Sequence, residues 1–263
     1  MSIDVASCLT CKYIFIMLLR QAWNNLLRFI FNPSSGPVMK PQRSCRHYNY
    51  KLICTEAVMA ILLGMFVNAC FSSVANLMAT TIAEVLGTTN NIDQLNKVEE
   101  SIAKSWELII FAVLIGPIIE EIGFRFSLKI TPVTVFVSVF IMSIYTLGLF
   151  MLGKNPNFLS IAILISSSIA IATMMFLATR HNLKGFYRHK GAWVVFCSFL
   201  FALAHLGNID FQPMMIIPYI FQFFPFLFLG MCLAYFRIRY GLVYSIALHM
   251  LNNFIAISSL SLQ

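Results

Sequence analysis

Seven long apolar runs impose the strongest constraint on the fold of this chain. The runs cover 52–78, 106–128, 132–152, 159–178, 192–206, 214–236 and 242–260. A helix of about 20 apolar residues crosses the ~30 Å hydrocarbon core of a bilayer. In lipid, only helices and closed barrels satisfy their backbone hydrogen bonds, and these continuous runs far exceed the roughly ten alternating residues of a barrel strand. The pattern predicts an all-α, polytopic transmembrane helix bundle of about seven spans.

The amino-acid composition also indicates that most of the chain lies in the lipid bilayer. Hydrophobic residues make up 59% of the 263 positions and charged residues only 11%, whereas soluble domains carry about 25% charged residues. The formal net charge is +8, but the basic residues lie in short stretches between the apolar runs. This distribution orients a membrane protein and does not form the continuous basic surface of a nucleic-acid-binding domain. We therefore expect the lipid bilayer as a partner, no nucleic acid, and a multi-pass location in the cell membrane.

Residues 1–51 form a basic N-terminal region that differs from the transmembrane helical domain at 52–263. Residues 13–31 mix apolar side chains with Arg20 and Arg28, which lie eight positions apart and so on nearly the same helical face. This pattern favours a cytoplasmic helix lying in the membrane interface. A basic linker then leads to the first apolar run.

The distribution of basic residues predicts the orientation of the chain. With a cytoplasmic N-terminus and seven spans, fifteen of the 18 lysines and arginines fall in cytoplasmic segments and three in external ones. Cytoplasmic loops of membrane proteins carry such an excess. The three external residues are Lys97, Lys104 and Lys154. We therefore expect a cytoplasmic N-terminus, an external loop at 79–105 and an external C-terminus.

Two adjacent carboxylates inside the second run require a specific explanation, because a charge at bilayer depth costs roughly 2.5–3.5 kcal/mol on insertion scales. Glu120 and Glu121 follow Pro117, which tends to kink a helix because it cannot donate a backbone hydrogen bond. Arg125 lies four residues after Glu121, the favourable order for an ion pair along a helix. Glu120 points about 100° away around the helix. The pattern predicts one carboxylate tied to the arginine and one left free.

Two of the five histidines also lie in apolar runs. His205 ends the fifth run, and His249 lies within the seventh, four residues before Asn253. This spacing places His249 and Asn253 on one helix face. A single intramembrane histidine more often forms a hydrogen bond between helices than catalyses a reaction, but here two carboxylates, an arginine, two histidines and an asparagine share three spans. The other three histidines lie in basic loops and are predicted to be solvated.

These three motifs, in this order on hydrophobic helices, resemble those of the CPBP family (also called ABI or CAAX-type) of intramembrane glutamic proteases. The motifs are Glu120-Glu121-x-x-x-Arg125, Phe201-x-x-x-His205 and His249-x-x-x-Asn253. The resemblance covers residues 106–260, which we regard as the protease-like core. It implies a metal-independent peptidase in which Glu121 and Arg125 support the catalytic groups.

The resemblance also implies the chemistry of the remaining site residues. Glu120 and His205 would bind and deprotonate a water molecule that attacks the scissile carbonyl, which is general-base catalysis. His249 and Asn253 would donate hydrogen bonds to the oxyanion that forms.

The spacing between the first two motifs differs from the usual family pattern, in which they lie on neighbouring helices. Here 84 residues and two additional spans separate Glu121 from His205. An even number of additional spans preserves the relative direction of the two helices, so the same site can form. At ~1.5 Å per residue, the predicted span boundaries place Glu120 and His205 roughly 10–15 Å apart in membrane depth. The two residues can share a site only if the boundaries are shifted or the helices are tilted.

Three other functions are compatible with parts of this pattern. Glutamate and histidine bind zinc, so a zinc-dependent membrane protease is one alternative, although there is no HExxH motif and the single CxxC at Cys8 and Cys11 is weak evidence. A proton-coupled transporter would also hold carboxylates and histidines at membrane depth, but no clear repeat relates the two halves. A non-catalytic membrane scaffold is the third.

We predict an endopeptidase without metal or cofactor, acting on membrane-associated, prenylated or peptide-precursor substrates within or at the membrane.

Overall fold

The computed structural model describes residues 5–34, 50–87, 105–151, 157–207 and 212–260. Within these ranges all regular secondary structure is helical, which confirms the predicted all-α class. The α-helices are α1 (Val5–Phe31), α2 (Tyr50–Leu86), α3 (Trp106–Ile110), α4 (Gly116–Arg125), α5 (Pro132–Met151), α6 (Phe158–His181), α7 (Leu183–Arg188), α8 (Lys190–Leu206), α9 (Ile216–Arg239) and α10 (Leu242–Leu260). A π-helical turn (Phe111–Ile115) joins α3 to α4, and 3-10 turns follow α4 (Phe126–Leu128) and precede α9 (Pro213–Met215).

Four helical segments of the described chain are long and apolar enough to cross a membrane, so the predicted count of about seven spans is not confirmed. They are Tyr50–Leu86, Phe158–His181, Pro213–Arg239 and Leu242–Ser259. The apolar segments Pro132–Gly148 and Lys190–Leu206 are shorter. The second predicted run is divided among α3, the π turn and α4, because Pro117 interrupts regular helical hydrogen bonding. Residue 152, the predicted end of the third run, lies outside the described residues.

Helix α2 is longer than the sequence predicted. It continues to Leu86, so residues 79–86 belong to a helix and not to the predicted external loop. The reason is a buried cluster at this end of the helix, which consists of Ala75, Ala79, Ala83, Met215 and Tyr219. The alanines recur every four residues, and small side chains at this spacing let neighbouring helices approach closely. Residues 88–104 of the predicted loop lie outside the described part of the chain.

Helix α1 packs along the bundle through one face. Ala22, Leu26 and Phe29 are fully buried and lie within two helical turns of one another. The Phe29 ring meets the Tyr235 ring of α9 edge-on, with 5.5 Å between their centroids. The two arginines predicted to share a face of this helix are exposed. A location of α1 in the membrane interface and a domain boundary at residue 51 stay predictions, and residues 35–49 lie outside the described chain.

A buried polar cluster joins α1 and α2 to the end of α9. The Glu56 side chain is fully buried and accepts hydrogen bonds from Asn25 Nδ2 at 3.0 Å and from the Tyr240 hydroxyl at 2.5 Å. Arg239 Nε lies 3.6 Å from the Oε2 atom of this carboxylate. Both carboxylate oxygens therefore have donors, which is the condition for burying a charged group.

Helix α9 forms the centre of the bundle. Seven consecutive residues, 230–236, are buried, so the helix is enclosed on every side at this level. It packs against α1, α2, α8 and α10. Gly241 follows it with φ 114°, a backbone conformation that favours glycine. This turn reverses the chain so that Ser245 Oγ of α10 lies 3.0 Å from the Leu233 carbonyl oxygen of α9.

We expect Glu56→Ala to lower the free energy of unfolding by about 3 kcal/mol, because it removes the acceptor of Asn25 and of the Tyr240 hydroxyl and the counter-charge of Arg239. The exposed Glu84 on the same helix provides the matched control, and Glu84→Ala should change stability by less than ~0.5 kcal/mol. Thermal and denaturant unfolding of the full chain in one detergent would measure both effects. Equal stability of the two variants would show that the cluster contributes nothing to the junction.

Candidate active site

The helix that carries the two carboxylates starts with an irregular turn. In the π turn, the Gly116 N–H donates to the Phe111 carbonyl oxygen, five residues earlier. The next donor in this register would be residue 117, which is proline and has no N–H. The Ala112 carbonyl oxygen therefore receives no main-chain donor in this turn, and Asn253 Nδ2 of α10 donates to it at 2.9 Å. The structure thus places Asn253 as a cap for the π turn.

Glu121 lies at the centre of a buried network. Its side chain is fully buried, and Oε1 lies 3.0 Å from an Arg125 guanidinium nitrogen and 3.1 Å from His249 Nδ1. The Ser245 hydroxyl donates to the other carboxylate oxygen. The ion pair expected from the four-residue spacing is present, and α10 supplies the two additional partners of this carboxylate.

The guanidinium group of Arg125 fills a space between α8 and α9. Its central carbon lies 3.9 Å from the centroid of the Phe201 ring, in the geometry of a cation–π interaction. A Cβ atom at Gly230 would lie 3.3 Å from a terminal nitrogen of this guanidinium group. Glycine at position 230 therefore lets α9 pack directly on the arginine, and a Cβ atom there would require its neighbours to shift by a few tenths of an ångström.

Glu120 lies on a different side of α4 from Glu121 and contacts other helices. The Tyr145 hydroxyl of α5 donates to Glu120 Oε1 at 3.3 Å. Oε2 lies 3.9 Å from His205 Nε2 and 3.6 Å from His249 Nε2. Among the described residues, Glu120 Oε2 and His249 Nε2 are buried and form no hydrogen bond. Three polar atoms from three helices therefore converge on one small volume.

The His205 ring is held in a defined orientation. Nδ1 lies 2.9 Å from the Phe201 carbonyl oxygen, which can only accept, so Nδ1 is the donor and a neutral ring has its lone pair on Nε2. The ring packs between Phe201 at 4.3 Å and Phe226 at 4.7 Å, measured between centroids. The accepting nitrogen of His205 is thus directed at Glu120.

The depth difference expected between Glu120 and His205 does not keep their side chains apart, since the nearest atoms lie 3.9 Å from each other. Ser127, just after α4, accepts a hydrogen bond from Trp193 near the start of α8, whereas Glu120 meets His205 at the end of α8. The two helices are therefore antiparallel, as an even number of intervening spans requires. Side chains lean toward the N-terminus of their own helix, so in an antiparallel pair the two side chains lean toward each other and close the gap.

The structure brings five of the six predicted residues into one connected cluster, on α4, α8 and α10, and places the sixth, Asn253, one turn further along α10. Sequence reasoning missed Tyr145 and Ser245. Ser245 lies one turn before His249 on the same helix face, a spacing that could have indicated it. Tyr145 lies in a predicted apolar run with no such signal. Catalytic roles for all of these residues stay predictions.

A metal site was an alternative explanation for these side chains. Among the described residues, no group of three or more histidine, cysteine, aspartate or glutamate residues has an arrangement that could hold a metal ion. Metal-independent chemistry stays a prediction.

We expect Asn253→Leu to lower the free energy of unfolding by about 1–3 kcal/mol, because it leaves the Ala112 carbonyl oxygen without a donor. In a Pro117→Ala background, residue 117 gains an N–H that can serve this carbonyl, so the loss should shrink by about 1 kcal/mol. Unfolding of the two single variants, the double variant and the parent would measure this coupling. Asn252→Leu, one residue away, should show no coupling with Pro117→Ala, and additive effects for Asn253 would contradict the capping role.

Comparison with known proteins identifies the family. Residues 102–255, more than half of the chain, match the family model described as type II CAAX prenyl endopeptidase, Rce1-like. No curated protein and no solved structure matches the chain. The matched segment contains all six predicted site residues together with Tyr145 and Ser245. The chain therefore belongs to the Rce1-like type II CAAX prenyl endopeptidase family, which confirms the resemblance to the CPBP membrane proteases and supports a membrane endopeptidase.

Proposed function

We propose that Glu120 and His205 hold and activate the water molecule with which this membrane endopeptidase hydrolyses a peptide bond. The convergence of Glu120 Oε2 with the two histidine Nε2 atoms, at 3.9 Å and 3.6 Å, carries the proposal. These separations exceed a direct hydrogen bond of ~2.7–3.2 Å. They are slightly shorter than the ~4.5 Å that one water spans with two hydrogen bonds at its tetrahedral angle. A water molecule is thus the species that these atoms would share.

In the proposed reaction the water donates one hydrogen bond to Glu120 Oε2 and the other to His205 Nε2. Its oxygen then attacks the scissile carbonyl carbon while one proton passes to Glu120, which is general-base catalysis. The new C–O bond gives a tetrahedral oxyanion. Collapse of this intermediate breaks the C–N bond, and the stored proton passes to the departing nitrogen, so the products are a carboxylic acid and an amine.

The oxyanion would be stabilised from α10. His249 Nδ1 faces Glu121, so a His249 that carries a second proton on Nε2 donates it into the space beside Glu120. Asn253 uses one amide hydrogen for Ala112 and retains a second for the oxyanion.

We propose the C-terminal CAAX segment of a prenylated protein as the substrate class. The family description names a prenyl endopeptidase, and the rings of Phe201 and Phe226 beside His205 provide an apolar wall next to the proposed reaction centre. A prenylated CAAX peptide is accordingly the first substrate to test. Its unprenylated counterpart and a membrane peptide precursor are the comparators.

We further propose that the N-terminus is cytoplasmic. Several basic side chains gather where α4 and α9 end and α8 begins, a region that we call the basic end. It comprises Lys129, Lys184, Arg188, Lys190 and Arg237. Hydrogen bonds from side chains to backbone carbonyls connect these segments: Arg237 Nε donates to the Arg125 carbonyl oxygen and the Tyr187 hydroxyl to the Ile130 carbonyl oxygen, each at 3.1 Å. The positive-inside rule supports a cytoplasmic location for this end.

We expect Glu120→Gln and His205→Ala each to lower the kcat for the prenylated peptide by at least ~100-fold, because each removes a group that activates the water. Glu107 is exposed at the start of the same apolar segment, so Glu107→Gln should retain full activity. The assay uses the purified full chain in proteoliposomes, with thermal unfolding to verify folding. Wild-type cleavage rates from both site variants would overturn the proposed mechanism.

Chelation provides a separate test of the proposed chemistry. Hydrolysis that needs only Glu120, His205 and water should continue at the original rate after treatment with EDTA. The measurement is the initial rate on the prenylated peptide before and after chelation, followed by addition of zinc. Activity that disappears with EDTA and returns with zinc would show that the enzyme is a metalloprotease.

A further inference from the structure

A cavity lies at the basic end, formed by Asn182 directly after α6, by α7 and by the start of α8. Its volume is about 650 Å³. Three basic side chains line it, Lys184, Arg188 and His189, together with three aromatic ones, Phe186, Trp193 and Phe196. Neither the proposed reaction nor the supporting network around Glu121 uses any of these residues.

The charge of this cavity is unbalanced. The sequence contains no aspartate or glutamate between Glu121 and Asp210. Within the described part of the chain, Lys184 and Arg188 take part in none of the ion pairs, which all involve Arg125, Arg239, His205 or His249. Like charges held together without counterions attract an anion from solution or from a membrane surface. The cavity therefore has the electrostatic character of an anion site.

The aromatic wall narrows the class of anion. The Trp193 and Phe196 rings are stacked with centroids 5.4 Å apart, and Phe186 meets Trp193 at 6.3 Å. Trp193 Nε1 donates to Ser127 Oγ at 3.1 Å, which fixes the indole ring. Phe196 is 45% exposed. A free inorganic anion gains nothing from such an apolar wall, whereas a molecule with a charged head and an apolar body does.

The position of the cavity indicates the same ligand. Helix α6, which ends at the cavity, is a candidate membrane span, and tryptophan and tyrosine are enriched at the level of lipid headgroups. Basic pockets between helices at this level bind the headgroups of anionic lipids. We propose that the cavity binds one anionic phospholipid, with Lys184 and Arg188 on its phosphate and the Phe186, Trp193 and Phe196 rings along its glycerol and upper acyl region.

The test measures lipid retention by the full chain and needs no catalytic activity. Native mass spectrometry after detergent exchange should show one phosphatidylglycerol bound to the wild type in preference to phosphatidylcholine. The double variant Lys184→Gln/Arg188→Gln should reduce the affinity for phosphatidylglycerol by roughly tenfold or more. The control Lys129→Gln/Arg180→Gln removes two exposed charges from outside the cavity and should retain the lipid. Glu120→Gln should also retain it, which separates this site from the proposed catalysis.

Three results would overturn the proposal. Equal losses in the cavity variant and the control would indicate a diffuse electrostatic effect of the membrane surface. Equal retention of phosphatidylglycerol and phosphatidylcholine would show that the basic side chains do not select the headgroup. Displacement of the lipid by millimolar inorganic phosphate, with the same dependence on Lys184 and Arg188, would show a site for free anions.

Discussion

The buried ion pair between Glu121 and Arg125 is the interaction on which the arrangement of this bundle depends. Taking two charges out of water costs several kcal/mol per ion, and attraction compensates only when further partners satisfy the remaining atoms. Here Ser245 and His249 complete the carboxylate from α10. The buried guanidinium nitrogens form no hydrogen bond among the described residues, so the Glu121 charge and the Phe201 ring of α8 at 3.9 Å stabilise this cation. The pair therefore has its stabilising partners only when α4, α8 and α10 are packed together. Separating the three helices would leave buried charges without partners, and this energetic cost favours their packing together.

Adjacent carboxylates on one helix allow this constraint to serve the proposed chemistry. Because neighbouring residues point about 100° apart, Glu121 faces its cation while Glu120 faces a different set of helices. Tyr145 holds one oxygen of Glu120, and the other remains directed at the two imidazoles. The two nitrogens of His249 lie close to both carboxylates. The position of Glu120 is therefore linked through His249 to that of Glu121. In the proposed mechanism, one glutamate supplies rigidity and its neighbour reacts.

Local periodicity predicted much of this arrangement, and the parts that it missed depend on tertiary contacts. The four-residue spacings gave the Glu121–Arg125 pair and placed His249 and Asn253 on one face. The hydrogen bond from Asn253 to Ala112 depends instead on a π turn, whose register leaves one carbonyl without a donor at Pro117. The length of α2 is set by alanines that pack against Met215 and Tyr219, and α1 is anchored by Glu56, whose partners lie 31 and 184 residues away in sequence. Such pairings have no periodic signature.

The proposed depth of the cluster in the membrane gives a physical reason for the close packing of its polar groups. Glu120 lies seven residues from Ser127, and His205 lies twelve residues from Trp193, so the cluster is roughly 10–18 Å along the helices from the Ser127–Trp193 contact. With the basic end at one membrane surface, as the proposed orientation has it, that distance would correspond to the middle of a hydrocarbon layer of ~30 Å. Water would be scarce at this proposed depth, and an oriented hydrogen bond or charge has a larger effect in such a medium than in solution. A carboxylate held by Tyr145 and a histidine fixed by Phe201 need little reorganisation to bind a single water molecule. The same burial that makes these groups costly therefore favours the proposed reaction, since preorganised donors and acceptors act most strongly where solvent does not compete.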